Sequence, residues 1–502
     1  MRRGRRHPQH TAPATTAGRH LTHPFTPQKV FSDDRIAAMH DLALKVLEEL
    51  GMKILLPEAR EIFARAGARV ADEMVFIGRD IVAAALESAP RRMMMKAPNP
   101  AHSHEIASDT LLFTPGGGCP NVFDRVNGRR PGDLTSYKDA LRLAQHFDVL
   151  HKLTPAPEPQ DIPVHLRHFA MMQAQLGVAD KAVTVYGRGR AQVQDCFEIL
   201  QLALNLGADE FDAGSWASTV VNTNSPRMLD KPMAQAVIDF ARANQIVIVT
   251  PFCLAGAMAP VTVAGALVLQ HAEALACIAL SQLARAGAPV LYGGFGSNVD
   301  MKSGSPAFGT PEHIQMQIGS GQLARHIGLP WRSATGTAAN TSDAQAAGET
   351  HMGLWGALMA GANLVVHSAG WLEGGLTLGF EKLVLDVEAL GILAHLCTPP
   401  DASDEALGFD AIAEVAPGGH FFDNSLTMAR YQNAFLPPLV ADLSNFGTWE
   451  KNGSQRADER ATGIWQDILR DYTAPAGCAE RLDRIAQYVA DRTAAGGAPI
   501  VE

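Results

Sequence analysis

Apolar residues recur along this chain with two periods, and the two periods take turns. Short runs dense in apolar and β-branched residues sit near 111–113, 150–154, 182–186, 218–222, 246–250, 289–292, 330–334 and 363–367. Between and after them, near 135–146, 165–177, 191–206, 230–243, 261–286, 311–327, 343–360 and 381–396, apolar positions return at helical spacing. Eight strand-like runs, each followed by a helical pattern, predict a (β/α)8 TIM barrel over 111–400, with connections long enough for right-handed crossovers. A doubly wound sheet also alternates in this way; the count of eight decides between them.

The flanks read differently. Ser32-Asp33-Asp34 caps a helix running to about Leu50, with Ile36, Met39, Leu42, Leu44, Val46 and Leu47 as its apolar stripe. Helical patterns near 57–66 and 79–88 complete a helical N-terminal region over 32–110. Patterns at 455–472 and 478–494 predict a C-terminal helical extension over 401–502. Residues 1–31 hold six basic and no acidic residues among Pro, Thr and His, which predicts a disordered basic tail.

Composition narrows the function classes. With 502 residues and 47% hydrophobic content the chain builds a large core, and a net charge of −10 argues against nucleic acid as partner. Six cysteines without a CxxC pair fit a reducing compartment. The apolar stretch from Cys253 to Leu269 contains Pro260 and runs into Gln270, His271 and Glu273, so it reads as a core helix and not a membrane span. Four arginines among the first six residues precede no apolar signal core. A cytoplasmic protein acting away from membranes is expected.

A barrel places its chemistry at the C-terminal strand ends. Those positions hold Gly116 to Asn121, Tyr186-Gly187-Arg188, Asn222-Thr223-Asn224, Thr250-Pro251-Phe252, Tyr292 to Asn298, Arg332 and His367-Ser368. Glycines, amides and aromatics dominate, and carboxylates are scarce. No HExxH and no zinc-spaced His/Cys cluster occurs, so no metal is expected, and His102 and His104 read as solvent-facing loop residues. There is no GxSxG elbow and no phosphate-loop lysine motif, and Gly293-Gly294-Phe295-Gly296 departs from the dinucleotide fingerprint. Such a barrel either binds a small molecule without turnover or relies on a nucleophile brought by another molecule.

Several segments resemble one known family. Pro251-Phe252, Gly256-Ala257 and Ala259-Pro260-Val261-Thr262-Val263-Ala264-Gly265-Ala266 are similar to a segment of the trimethylamine:corrinoid methyltransferases. So are Asp300-Met301, Ser303-Gly304-Ser305-Pro306-Ala307-Phe308-Gly309-Thr310-Pro311-Glu312, Asp343-Ala344-Gln345-Ala346 and Pro417-Gly418-Gly419-His420-Phe421, in matching order between about residues 30 and 470. The archetype carries pyrrolysine in the loop before its Asp-Ala-Gln segment, whereas Arg332 to Ser342 here holds only standard residues. The branch without pyrrolysine, typified by glycine betaine:corrinoid methyltransferases, is the nearer resemblance. Gly348 is a second departure, where many relatives carry tyrosine.

The resemblance implies a methyltransferase that moves a methyl group from a quaternary amine, with glycine betaine foremost, to the Co(I) centre of a corrinoid. The corrinoid is carried by a separate corrinoid-binding protein, so no cofactor is held permanently, and a homo-oligomer is expected. Other onium donors (a carnitine, proline betaine, a sulfonium) and a quaternary-amine sensor without turnover remain alternatives. Aromatic faces attract a trimethylammonium group, which nominates Tyr186, Phe252, Tyr292, Phe295 and Trp331. Arg332 is the cation placed for a substrate carboxylate, with Asn222, Asn224, Asn298, Gln345, Glu349, His351 and His367 as polar candidates. Gly117, Gly118, Gly294 and Gly296 are expected to leave room for the corrinoid. Cys119 and Cys253 read as structural thiols.

Overall fold

A computed structural model describes residues 18–501. Its centre is one parallel sheet of seven strands: β1 (Leu112–Pro115), β2 (Val183–Thr184), β3 (Ala217–Val221), β4 (Ile246–Val249), β5 (Val290–Gly293), β6 (Trp331–Ala334) and β7 (Leu364–Ala369). The strands lie in the order β1-β7-β6-β5-β4-β3-β2. An eighth stave, 151–153, closes the ring between β1 and β2. His151 N–H donates to the Phe113 carbonyl at 2.9 Å, Leu153 N–H to the Ala182 carbonyl at 3.0 Å, and Lys152 bridges Ala182 in parallel. The predicted second strand is therefore a single bridge, and the barrel is complete.

Eight helices cover the outside: α1 (Leu134–His146), α2 (Val164–Val178), α3 (Arg190–Leu204), α4 (Lys231–Arg242), α5 (Val263–Ala284), α6 (Pro311–His326), α7 (Ala344–Met359) and α8 (Phe380–Leu396). Side chains at Asp133, Asp230, Thr262, Thr310 and Asp343 cap α1 and α4 to α7 by accepting from backbone N–H groups in the first turn, so five of the eight helices start where a capping residue meets an apolar run. Helix α5 is apolar all round because both faces are covered, by the barrel inside and by the N-terminal helices Asp33–Lys45 and Arg79–Ser88 outside. Among the described helices it alone has the length and composition to cross a membrane, and 78% of its most apolar window is buried.

Inside the ring, Leu112, Ala182, Ile246, Ile248, Leu291, Leu364 and Val366 form a separate apolar cluster with Met93, Met95 and Ile106. The last three belong to a hairpin, Met93–Met95 with His104–Ile106, that plugs the N-terminal end of the barrel. His102 and His104 are part of this plug and buried, not solvent-facing; burial beside His151 and His20 pushes His104 down to about 3.

The flanks depart from expectation in three ways. The N-terminal region is not purely helical: Met52–Ile54, Arg69–Ala71 and Met74–Phe76 form a small sheet that recruits Met228–Leu229 from the barrel's fourth βα loop. In its first helix Ala43 takes the buried place expected of Leu42, which is 49% exposed. The predicted tail is ordered from residue 18 to 31: Leu21 is buried, His23 Nε2 meets the Ala362 carbonyl at 2.5 Å, and Arg19 pairs with Asp148 at 2.8 Å. Residues 1–17 of that tail lie outside the described residues. At the C-terminal end, Ala457–Arg470 packs on α8, where the buried Glu381 accepts from Thr462 Oγ and Trp465 Nε1, each at 2.8 Å. Cys478–Ala494 lies along α2 and α3.

Candidate active site

The C-terminal mouth of the barrel is lined by a cluster of rings around Phe295. Its ring centroid lies 5.0 Å from Phe252, 5.3 Å from Phe308, 5.3 Å from His367 and 5.5 Å from Trp371. Trp371 and His367 stack at 4.7 Å with 23° between planes. The small residues of the Ala334–Ala339 run make this possible. Gly336, at φ +131°, lies flat on Trp371, and a Cβ there would collide with the indole. The Trp371 Nε1–H donates to the Gly117 carbonyl at 3.3 Å, fixing the ring at the first strand end.

Beside the rings stands a cation without an acid. Arg332 is 1% exposed, its guanidinium carbon lies 5.3 Å from the Phe295 centroid, and its Nη1 reaches the Gly294 carbonyl at a long 3.4 Å. Its Nε has no partner among the described residues, and burial alone pushes the group down to about 9. His367 sits in a β-bulge of β7 with φ +60°, a strained conformation of the kind that collects at functional sites. Burial and the nearby Arg332 hold its imidazole well below the usual range, so the ring is neutral. Its Nδ1 accepts from Gly117 N–H at 3.2 Å, which leaves the hydrogen on Nε2. That Nε2–H faces Arg332 Nη2 at 3.4 Å, donor against donor, and both are free for an incoming acceptor. Rings for an onium head and donors for an anion thus share one mouth.

Comparison with known proteins shows the family. Residues 1–497 match the family described as trimethylamine methyltransferase (MTTB). The chain belongs to the trimethylamine methyltransferase family. It is 33% identical to a glycine betaine methyltransferase of Desulfitobacterium hafniense over 92% of this chain and 97% of that one. It is 28% identical to a trimethylamine methyltransferase of the same species over 92% and 93% of the two chains. The crystal structure of the Methanosarcina barkeri monomethylamine methyltransferase shares the fold, with a TM-score of 0.52 and 9% identity over 88% of each chain. Members of the trimethylamine methyltransferase family act on methylated amines and pass the methyl group to a corrinoid protein.

Within this family member, the residues nominated from sequence separate into groups. Phe252, Phe295, Arg332 and His367 come together at the mouth, with Gly117 bonded to two of its rings and Gly118 open to solvent on the rim. Tyr186 and Asn222 stand exposed at the ends of neighbouring strands, Tyr186 under the Arg188 guanidinium. Tyr292 and Trp331 point the other way, outward: Tyr292 O–H meets His271 on α5 at 3.0 Å, and Trp331 Nε1 donates to the Gly361 carbonyl at 3.0 Å. Gly294 and Gly296 are buried against Gln270 of α5, so they serve strand–helix packing and leave no room for a corrinoid.

The polar candidates of the later loops mostly hold backbone. Asn298 accepts from Thr310 Oγ at 2.7 Å and Asn224 is tied to Asp230. Glu349 accepts from Thr337 Oγ and from Ala338 N–H, clamping the run that covers Trp371, and Gln345 donates to it at 2.8 Å. His351 is exposed on α7. A side chain added at Gly348 would enter open space. Cys119 and Cys253 are buried thiols whose ionisation burial pushes up. Among the described residues no cluster of His, Cys, Asp and Glu could hold a metal ion. Sequence reasoning missed Phe308, in a loop, and Trp371, in the short strand Trp371–Leu372, both beyond the barrel strand ends; the two glycines packed on Trp371, Gly336 and Gly375, are the signal that could have found it.

Proposed function

We propose that this protein demethylates glycine betaine in the cytoplasm, handing the methyl group to a Co(I) corrinoid carried by a partner protein. One observation carries the reading: a buried arginine without an acidic partner stands against the ring cluster, the two halves of a site for a trimethylammonium carboxylate. The corrinoid, when docked, supplies the nucleophile. The C–N bond breaks with its electron pair staying on nitrogen, so dimethylglycine leaves as a neutral amine and no proton has to be donated. The residues of this chain bind and orient. Phe252, Phe295 and Trp371 offer ring faces to the onium head, Arg332 and the His367 Nε2–H offer hydrogen bonds to the carboxylate, and the rings exclude water. Holding the methyl in line at about 3–3.5 Å from its acceptor is then the main catalytic contribution.

The rim around this site suits an incoming macromolecule, with Val261, Met301 and Leu376 exposed on the fifth, sixth and eighth βα connections of the barrel. A second apolar surface supports a homo-oligomer. Phe409, Phe422, Phe435, Phe446 and Leu443 are each more than 70% exposed on the segment between α8 and the helix Ala457–Arg470.

The deciding experiment mixes the purified protein anaerobically with cob(I)alamin or a cognate corrinoid protein and glycine betaine. Conversion of the Co(I) spectrum to methyl-Co(III) with equimolar dimethylglycine is expected, and trimethylamine is expected to be inert. Tight betaine binding without transfer would make the protein a sensor. Transfer from trimethylamine in place of betaine would overturn the substrate assignment.

A further inference from the structure

A second cation, Lys152, stands in the middle of the stave that closes the barrel. Strand register shows where it points. Lys152 bridges Ala182 in parallel, and Arg332 pairs with Leu364 and Gly293. Residues paired across parallel strands share a face, and Ala182 and Leu364 both belong to the apolar cluster inside the ring. Lys152 and Arg332 therefore both project into the barrel interior. Lys152 is 3% exposed, and its ammonium makes no hydrogen bond or ion pair with any described residue. The one charged neighbour that bears on it is Arg332, of the same sign.

The rest of the interior offers no countercharge. Facing positions on the staves are Thr114, Thr154, Thr184, Ser218, Val220, Ile248, Thr250, Leu291 and Ser368, with no Asp or Glu among them. Ser218 Oγ and Thr250 Oγ1 are buried there without partners, as is Arg332 Nε. An unpaired ammonium or guanidinium inside a fold is strongly unfavourable, because burial strips its water and nothing replaces it. Two of them inside one barrel, each with no acid to pair with and with idle hydroxyls at Ser218 and Thr250, mark a place built for a ligand that brings its own negative charge.

Resting on the betaine reading above, we propose that Lys152 and Arg332 together bind the substrate carboxylate on the barrel floor, so that the site selects zwitterionic onium compounds over onium compounds without an anionic end. The carboxylate points inward between the two cations. One methylene separates carboxylate and nitrogen in glycine betaine, which places the onium head at the ring cluster and turns a methyl toward the open mouth. An onium without the anion would leave both buried cations unpaired, so discrimination comes from the cost of those charges and not from the shape of the head.

The test titrates full-length wild type, K152M and K152Q with glycine betaine and with choline, which keeps the trimethylammonium head but replaces the carboxylate by a hydroxymethyl group. Wild type should prefer betaine by about 100-fold. Both variants should lose about 30-fold or more in betaine affinity, the scale of removing one partner from a buried charge pair, while choline affinity stays within a few-fold. Thermal melts confirm folding, and the isosteric methionine removes a buried charge without leaving a cavity. Variants that bind betaine like a wild type that itself prefers betaine would overturn the role of Lys152 and leave the betaine reading standing. A wild type that binds choline as tightly as betaine, or binds no betaine, would overturn the betaine reading itself.

Discussion

Replacing Phe252 by leucine separates electrostatics from packing in the ring cluster. Phe252 follows β4, is half-buried, and touches a single other ring, Phe295, at 5.0 Å and 44°. Leucine keeps the apolar contact and discards the π face. A trimethylammonium group on a partly desolvated aromatic face gains about 1–2 kcal/mol, so F252L should weaken betaine binding roughly 5- to 30-fold. Lost pairing with Phe295 should cost the fold about 0.5–1.5 kcal/mol. The control ligand is 3,3-dimethylbutyrate, in which a carbon replaces the charged nitrogen while shape and carboxylate stay the same. Calorimetric titration of both ligands into both proteins closes a cycle whose residual is the cation–π contribution. The neutral ligand should change less than about twofold, the part owed to packing. The positive charge also fades as the methyl leaves, so the ring holds substrate more firmly than transition state; kcat/KM should fall less than affinity, and kcat itself should hold or rise. Equal losses for both ligands would show that the ring only packs, and no loss for either would remove Phe252 from the site.

Two further outcomes follow from groups already described. Burial holds Lys152 at about 7 in the unliganded protein against 10.5 unperturbed, and a bound carboxylate favours the charged form. Betaine binding above pH 7 should therefore take up a proton and weaken as pH rises, whereas choline binding should not; titrations at pH 6 to 9 in two buffers of different ionisation enthalpy measure this, and zero uptake at pH 8.5 would contradict it. The linked stability runs the other way, because the unfolded chain holds more protons between about 7 and 10.5, so the unliganded protein gains stability as pH rises through that window. For G294A, a Cβ forced against the Gln270 amide should destabilise the fold by about 1–3 kcal/mol through overpacking, seen as a lowered melting temperature. A wild-type melt would show that Gly294 is not there for strand–helix packing.

The barrel was legible because its strands and helices obey different periods. All eight covering helices lie within three residues of where the apolar spacing puts them at either end, and β4 is a continuous apolar run as a strand buried on both faces should be. What escaped has specific causes. The second strand falls inside the run expected near 150–154, but it mixes His151 and Lys152 with Leu153 and pairs with β2 through one bridge, so its reduction to a single short stave was not readable. The plug hairpin at Met93–Met95 carries three identical residues, of which Met93 and Met95 are buried and Met94 exposed, so no hydropathy alternation exists to read. Tyr292 and Trp331 were nominated beside Gly293 and Arg332 because position along a strand end says nothing about parity. A period of two sends adjacent residues to opposite faces, and only register tells which face is inside. Here Trp331 points out and Arg332 in. The same rule hid Lys152, which lies mid-stave where strand-end reading does not look.

The scarcity of acids at the mouth has a physical counterpart elsewhere in the molecule. Buried carboxylates exist, but they sit in the seams between helices and loops, and three of them accept several hydrogen bonds from the chain itself. Glu273 accepts from Thr223 Oγ at 2.5 Å, Ser225 Oγ at 2.7 Å and Arg227 N–H at 2.7 Å. Asp386 accepts from Lys382 Nζ and Gly370 N–H, and Asp195 from Arg492, Tyr488 and His168. Each of these acids fastens one element to another. An acid placed inside the barrel would pair with Arg332 and occupy the donors that a substrate carboxylate needs. It would also attract the onium head downward, turning the methyl away from the mouth. Keeping the interior cationic and the rim aromatic therefore fixes both the charge and the direction of the ligand. The instability of two uncompensated cations is the cost of that choice, and ligand binding is what offsets it.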